Sequence, residues 1–204
     1  FPPRRSSDLD LADPHWEPFW EACAALDMPI NFHIGASESA LDWFGSSFWP
    51  SEPMDVRFAI GSSMLFFGNA RVMANILLSG ILDRHPKIKF VSVESGIGWI
   101  PFLLEVLEYQ LAENAAGHRY ALTPAEYFAR NIYSCFWFER RNIADSIRQV
   151  GVDNVMFETD FPHPTCLYPN PKEHFLRVLK DVPDHVKRRG LQDNAVELYK
   201  IKLP

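Results

Sequence analysis

Val155-Met156-Phe157-Glu158-Thr159 is a short strand-forming run that leads straight into Asp160-Phe161-Pro162-His163-Pro164. A mostly apolar run of this length, closed by prolines, predicts a buried strand with a polar exit. Three further stretches read the same way. Ile30–Ile34 (INFHI) lies between Pro29 and Gly35, Ile88–Val93 (IKFVSV) ends at Glu94-Ser95-Gly96, and Ile132–Trp137 follows a helical segment.

Between the strands the period changes to that of a helix. Asp13 is placed to cap a helix with Pro14 in its first turn, and Trp16, Phe19, Trp20, Cys23 and Leu26 recur at three- and four-residue spacing. Ser63–Arg84 predicts a long helix burying Leu65, Val72, Ile76 and Leu77, stopped before His85-Pro86. Further helices are expected over Ile100–Asn114, over Pro124–Arg130 behind a Thr123 cap, and over Arg141–Val150, Pro171–Val182 and Pro183–Leu198. Four strands, each followed by a helix, imply an α/β fold of parallel βα units with right-handed crossovers. Strands this apolar suit a sheet covered on both faces.

Three of the four strands end in an ionisable residue: His33, Glu94 and Asp160. Such groups are costly to bury unless paired or bound to a metal. A neutral imidazole and a carboxylate converging at the C-terminal ends of βα strands are the ligand types a divalent ion needs. Each residue also has a plainer reading. His33 could sit in the core on a backbone carbonyl, Glu94 could pair with a neighbouring base or N–H, and Asp160 could cap a turn. His163, between two prolines, could face a substrate or close a turn in solvent. The segment 36–62, rich in Ser, Gly, Pro and aromatics, predicts a long functional loop. Its Trp43 and Phe44, together with Trp99, are candidate substrate-binding residues, with ordinary packing as the alternative.

Composition bounds the rest. In 204 residues, 47% are apolar and 23% charged, which excludes a disordered tail, a collagen-like repeat and a coiled coil. A net charge of −6 without a basic block argues against nucleic-acid binding. Three cysteines, none in a CxxC, argue against a disulfide framework or a zinc knuckle and for reduced thiols in the cytoplasm. The apolar region Ile88–Leu107 is broken by Lys89, Glu94 and Glu105, so no membrane span is expected. Neither the dinucleotide nor the P-loop glycine fingerprint is present. Residues 1–9 (FPPRRSSDL) read as a translated sequencing-adapter leader, with natural sequence expected from Asp10 and one domain over 10–204.

The strings Asn31-Phe32-His33-Ile34-Gly35, Leu82-Asp83-Arg84-His85-Pro86 and Phe157-Glu158-Thr159-Asp160-Phe161-Pro162-His163, with the closing Asp193-Asn194-Ala195-Val196-Glu197-Leu198-Tyr199, resemble the amidohydrolase-related family. Its best-known members are the aminocarboxymuconate-semialdehyde decarboxylase-like enzymes. The resemblance covers about residues 10–202. It implies a metal-dependent (β/α)8 TIM barrel, of which these four strands would be strands five to eight, the C-terminal half. It places His33 as the fifth-strand metal ligand and Asp160 as the eighth-strand one, for Zn or Mn. Glu94 or Ser95 stands where the family has a sixth-strand histidine, and the first-strand ligand pair has no counterpart. The implied activity of a longer parent is hydrolysis or decarboxylation of a small carboxylated or cyclic substrate, with Asp160, Glu94 and His163 catalytic. A homodimeric parent is among the arrangements the sequence admits. A fragment of this kind is expected to be inactive alone and to associate through its open strand edges. The alternative is a non-catalytic scaffold with a decayed site.

Overall fold

The computed structural model of the protein describes residues 10–35, 49–118 and 120–203. The expected leader and the candidate residues Trp43 and Phe44 lie outside these. Four strands form one sheet: β1 (Ile30–His33), β2 (Phe90–Val93), β3 (Ile132–Phe136) and β4 (Val155–Phe157), in the order β1-β2-β3-β4. All three pairings are parallel, with Ile30 opposite Phe90, Phe90 opposite Ile132, and Ser134 opposite Val155. Each strand is thus beside its sequence neighbour, as consecutive right-handed βα units require.

The intervening helices are α1 (Glu17–Leu26), α2 (Met54–Leu78), α3 (Ile81–Arg84), α4 (Ile100–Asn114), α5 (Pro124–Asn131) and α6 (Ile143–Val150), with α7 (Pro171–Val178), α8 (Asp184–Arg188) and α9 (Asn194–Tyr199) closing the chain. Met73, Ile76 and Leu77 of α2, Ile100 and Leu104 of α4, Tyr127 and Phe128 of α5, and Ile143 and Ile147 of α6 pack with Phe90, Ile132, Phe136 and Val155. The alternate strand positions Val91, Cys135 and Met156 point the other way and form a smaller cluster with Leu198.

Caps and turns match the sequence chemistry where that chemistry is local. Asp13 accepts the His15 N–H, and Thr123 with Glu126 closes a full capping box on α5. Three expectations are corrected. The segment 54–62 is helix rather than loop, since α2 begins at Met54. Gly61 is buried on it, so close packing has overridden a weak helix former. The closing pair of helices is broken into shorter pieces with a π-helical turn over Arg189–Asp193. Leu65, expected in the core, instead lines a cavity described below.

Buried asparagines fasten the starts of the strands in sequence. Asn131 donates to the carbonyls of Pro86 and Ile88 ahead of β2, Asn154 to Ala129 and Ile132 at β3, and Asn194 to Val152 and Val155 at β4. Each amide satisfies carbonyls that would otherwise be buried without partners. With the N-terminal ends of the strands sealed in this way, the C-terminal ends are left to carry chemistry.

Candidate active site at the strand ends

Glu94 follows β2 directly and Asp160 lies three residues past β4, and both adopt positive φ, 62° and 58°. Non-glycine residues in the left-handed region mark positions where the surroundings dictate the backbone, as functional sites often do. At Glu94 the dictating contact is Glu158, whose Oε1 accepts the Glu94 N–H at 2.9 Å. Burial pushes the Glu158 carboxyl up to about 8 and the adjacent Cys135 thiol well above its ordinary range. Beyond Glu94, Gly96 also has positive φ, 68°, and a Cβ there would lie 2.6 Å from Glu139 Oε1. Glu139 accepts the N–H groups of Ile97 at 2.7 Å and Trp137 at 3.0 Å, so one carboxylate ties the exits of β2 and β3 together. On the helix side, buried Asn69 donates to Ser92 Oγ and Val93 O at 3.2 and 3.1 Å, and Ser92 Oγ meets Ser95 Oγ at 2.7 Å.

On this frame the sequence-predicted residues converge. Ligand atoms of Glu94, Asp160 and His163 lie within 4.8 Å of one another. His33 falls outside that group of three and joins it through Glu94, its Nε2 2.5 Å from Glu94 Oε2. Its Nδ1 donates to the Ile34 carbonyl at 2.7 Å, which leaves Nε2 to face Glu94. Asp160 Oδ2 is buried and has no hydrogen-bond partner. It lies 3.2 Å from His163 Nδ1, which also meets Thr165 Oγ1 at 2.8 Å. Burial, and after it the Asp160 charge, raise the Glu94 carboxyl above its ordinary range, against the opposing pull of His33 and His163. Crowded carboxylates and a buried carboxylate oxygen without a hydrogen bond are what a divalent cation relieves, so the donor set fits one.

Beside the cluster opens a cavity of about 470 Å³, within the range of small-molecule sites. His33, Glu94 and His163 supply its polar side, Leu65, Phe66, Trp137, Phe138 and Leu167 its apolar wall, and Arg140 a cation. Trp99 is not part of it. Its indole packs against the large core and donates to the Ser95 carbonyl at 2.9 Å, because Trp99 heads α4 on the helix side of the sheet. The aromatic wall comes instead from Trp137 and Phe138, just past β3. Glu158, Glu139, Asn69 and Arg140 had not been singled out from sequence. Only Glu158 had a visible signal there, as a carboxylate inside an apolar strand run.

A sequence profile described as amidohydrolase matches residues 1–201. The chain belongs to the amidohydrolase family. Among curated relatives, this amidohydrolase-family chain is 26% identical over 166 residues to the gamma-resorcylate decarboxylase of Polaromonas sp. (strain JS666), a match covering 75% of this chain and 45% of that protein. Among solved structures it superposes on the 5-carboxyvanillate decarboxylase of Sphingomonas paucimobilis with a TM-score of 0.71 and 26% identity, over 98% of this chain and 57% of that one. It shares its fold with the Polaromonas dihydroxybenzoic acid decarboxylase solved with bound manganese and 2-nitroresorcinol. There the TM-score is 0.69 and the identity 20%, over 96% of this chain and 57% of that one. The chain thus spans about half the length of the relatives it matches. None of its described helices is long and apolar enough to cross a membrane.

Proposed function

We propose that this chain forms strands five to eight of a metal-dependent (β/α)8 barrel whose reaction is decarboxylation of a small aromatic acid. The observation that carries this reading is the convergence of Glu94, Asp160 and His163 within 4.8 Å at the strand ends, beside an aromatic-walled cavity. Decarboxylases of dihydroxybenzoate and 5-carboxyvanillate among the relatives support decarboxylation over hydrolysis.

Asp160 and His33 would hold the ion, with Glu94 between them and His163 beside Asp160. Manganese or zinc bound there would polarise an oxygen of the substrate. The residues of this chain do the rest. The apolar wall formed by Phe66, Trp137 and Phe138 stacks the ring and excludes water. The buried Glu94 carboxyl keeps its proton to higher pH than an exposed glutamate and so suits a general acid. It delivers that proton to the ring carbon bearing the carboxylate. The carbon–carbon bond then breaks, its electron pair stays with the ring, and CO2 leaves. Glu94 regains its proton from solvent before the next turnover, and the balance is ArCO2− plus one proton giving ArH and CO2.

The test is CO2 release from 2,6-dihydroxybenzoate and 5-carboxyvanillate by the whole barrel, this chain together with strands one to four, supplied with manganese. Activity lost in both Asp160→Asn and Glu94→Gln supports the reading. A folded, manganese-binding protein that releases no CO2 from any carboxylated aromatic would sink it.

A further inference from the structure

Arg140 lines the same cavity as His33, Glu94 and His163, and is solvent-exposed. Among the described residues it has no acidic partner. The acids on its other side are engaged elsewhere, Asp145 with Arg148 at 2.8 Å and Asp181 with Lys180 at 3.8 Å. Its backbone is held in place, because the preceding residue, Glu139, is fixed by the N–H groups of Ile97 and Trp137. A guanidinium presented at a cavity rim, with an anchored backbone and no counter-ion, is suited to bidentate capture of a carboxylate.

That carboxylate is not the one that reacts. The reacting group must lie against Glu94, one residue past the end of β2, whereas Arg140 stands four residues past the end of β3. We infer that Arg140 is a specificity-determining residue that binds a second acidic substituent, so the favoured substrates are aromatic rings carrying two anionic groups. This rests on the decarboxylase reading and deepens it. The apolar residues between the two polar ends, Phe66, Trp137, Phe138 and Leu167, suit the ring that joins them.

The test is calorimetric binding of benzoate and of benzene-1,3-dicarboxylate to the manganese-loaded protein and to Arg140→Gln and Arg140→Lys, each checked for an unchanged circular dichroism spectrum. The expected result is a dicarboxylate preference of tenfold or more in the wild type. R140Q should abolish it, R140K should keep part of it, and benzoate affinity should stay the same in all three. Equal loss of both ligands in R140Q, or an unchanged preference, overturns the assignment. If benzoate binding shows no manganese dependence, the metal reading fails on its own. Arg140 is then judged on the metal-free protein, where loss of dicarboxylate binding in R140Q upholds it and no loss overturns it.

Discussion

Glu158 at the exit of β4 accepts the backbone N–H of Glu94 at the exit of β2, 2.9 Å away and across the intervening β3. A side chain thus does what a strand-to-strand hydrogen bond cannot do over that gap, holding Glu94 in the left-handed conformation that presents its carboxyl to Asp160. Replacing Glu158 by Ala leaves a partly buried N–H without a partner, at about 1–3 kcal/mol of stability. Glu158→Gln keeps an acceptor oxygen and costs less. Urea unfolding of the two variants should therefore rank E158A below E158Q, and the same order should hold for manganese affinity. A reversed order would place the role of Glu158 in its charge rather than in this hydrogen bond.

Gly96→Ala tests the second tie. Its positive φ and the 2.6 Å approach of a Cβ to Glu139 Oε1 both oppose the substitution. Glu139 cannot simply swing away without releasing the Ile97 and Trp137 amides. The cost expected is about 2 kcal/mol or more, from backbone strain plus a loosened clamp. It is read as a fall in the urea midpoint at constant m-value.

The buried asparagines should separate stability from site geometry. Asn194→Ala exposes the Val152 and Val155 carbonyls at the sealed end of β4 to burial without a donor, at about 1–3 kcal/mol, and should leave metal affinity unchanged. Asn69→Ala removes donors to Ser92 Oγ and Val93 O directly beneath Glu94, so it should lower stability and metal affinity together. Equal effects of the two variants on affinity would show that the site does not depend on the Asn69 bridge.

What could be read from sequence follows the range of the forces involved. The four strands and most helices are set by local periodicity and caps, and Asp13, Thr123 and the run Val155–Phe157 each carry their signal within a few residues. His33, Glu94 and Asp160 were legible because a charged residue ending an apolar strand is conspicuous anywhere. The start of α2 was not, since Gly61 is a weak helix former that is buried in the helix by tertiary packing. Glu139 and Asn69 were also hidden. Their partners are Ile97, 42 residues away, and Ser92, 23 away, and no local pattern encodes such pairs. Trp99 misled because an aromatic near a strand end reads alike whether it faces a cavity or the core.

Acid stability should depend on Glu17, far from the strand ends. Its hydrogen bond to His85, 2.6 Å, and then the charge of Arg84 hold its carboxyl below the ordinary value of 4.5. A lowered folded pKa means the unfolded chain binds the proton more readily. The pair therefore contributes above pH 4.5, and the contribution is lost as pH falls through the lower folded value. Glu17→Gln should accordingly flatten the loss of thermal stability between pH 5 and 3, while lowering stability at pH 7. Parallel curves for wild type and variant would exclude the pair as a source of acid sensitivity.

Metal addition and removal give the most direct reading of the strand-end cluster. An ion that binds the folded chain and not the unfolded one stabilises it by about 2.7 kcal/mol at a hundredfold excess over its dissociation constant. For a chain of this length that is a rise of roughly 5–10 °C in Tm, reversed by chelator. Asp160→Asn removes one negative charge and converts a carboxylate oxygen into an amide group. It should abolish the manganese-dependent rise while leaving the metal-free Tm equal to or above that of the wild type, because the crowding of Asp160 with Glu94 is relieved. A manganese-dependent rise that survives in D160N would move the ion away from this cluster, and a metal-free Tm well below wild type would show that Asp160 serves the fold rather than a cation.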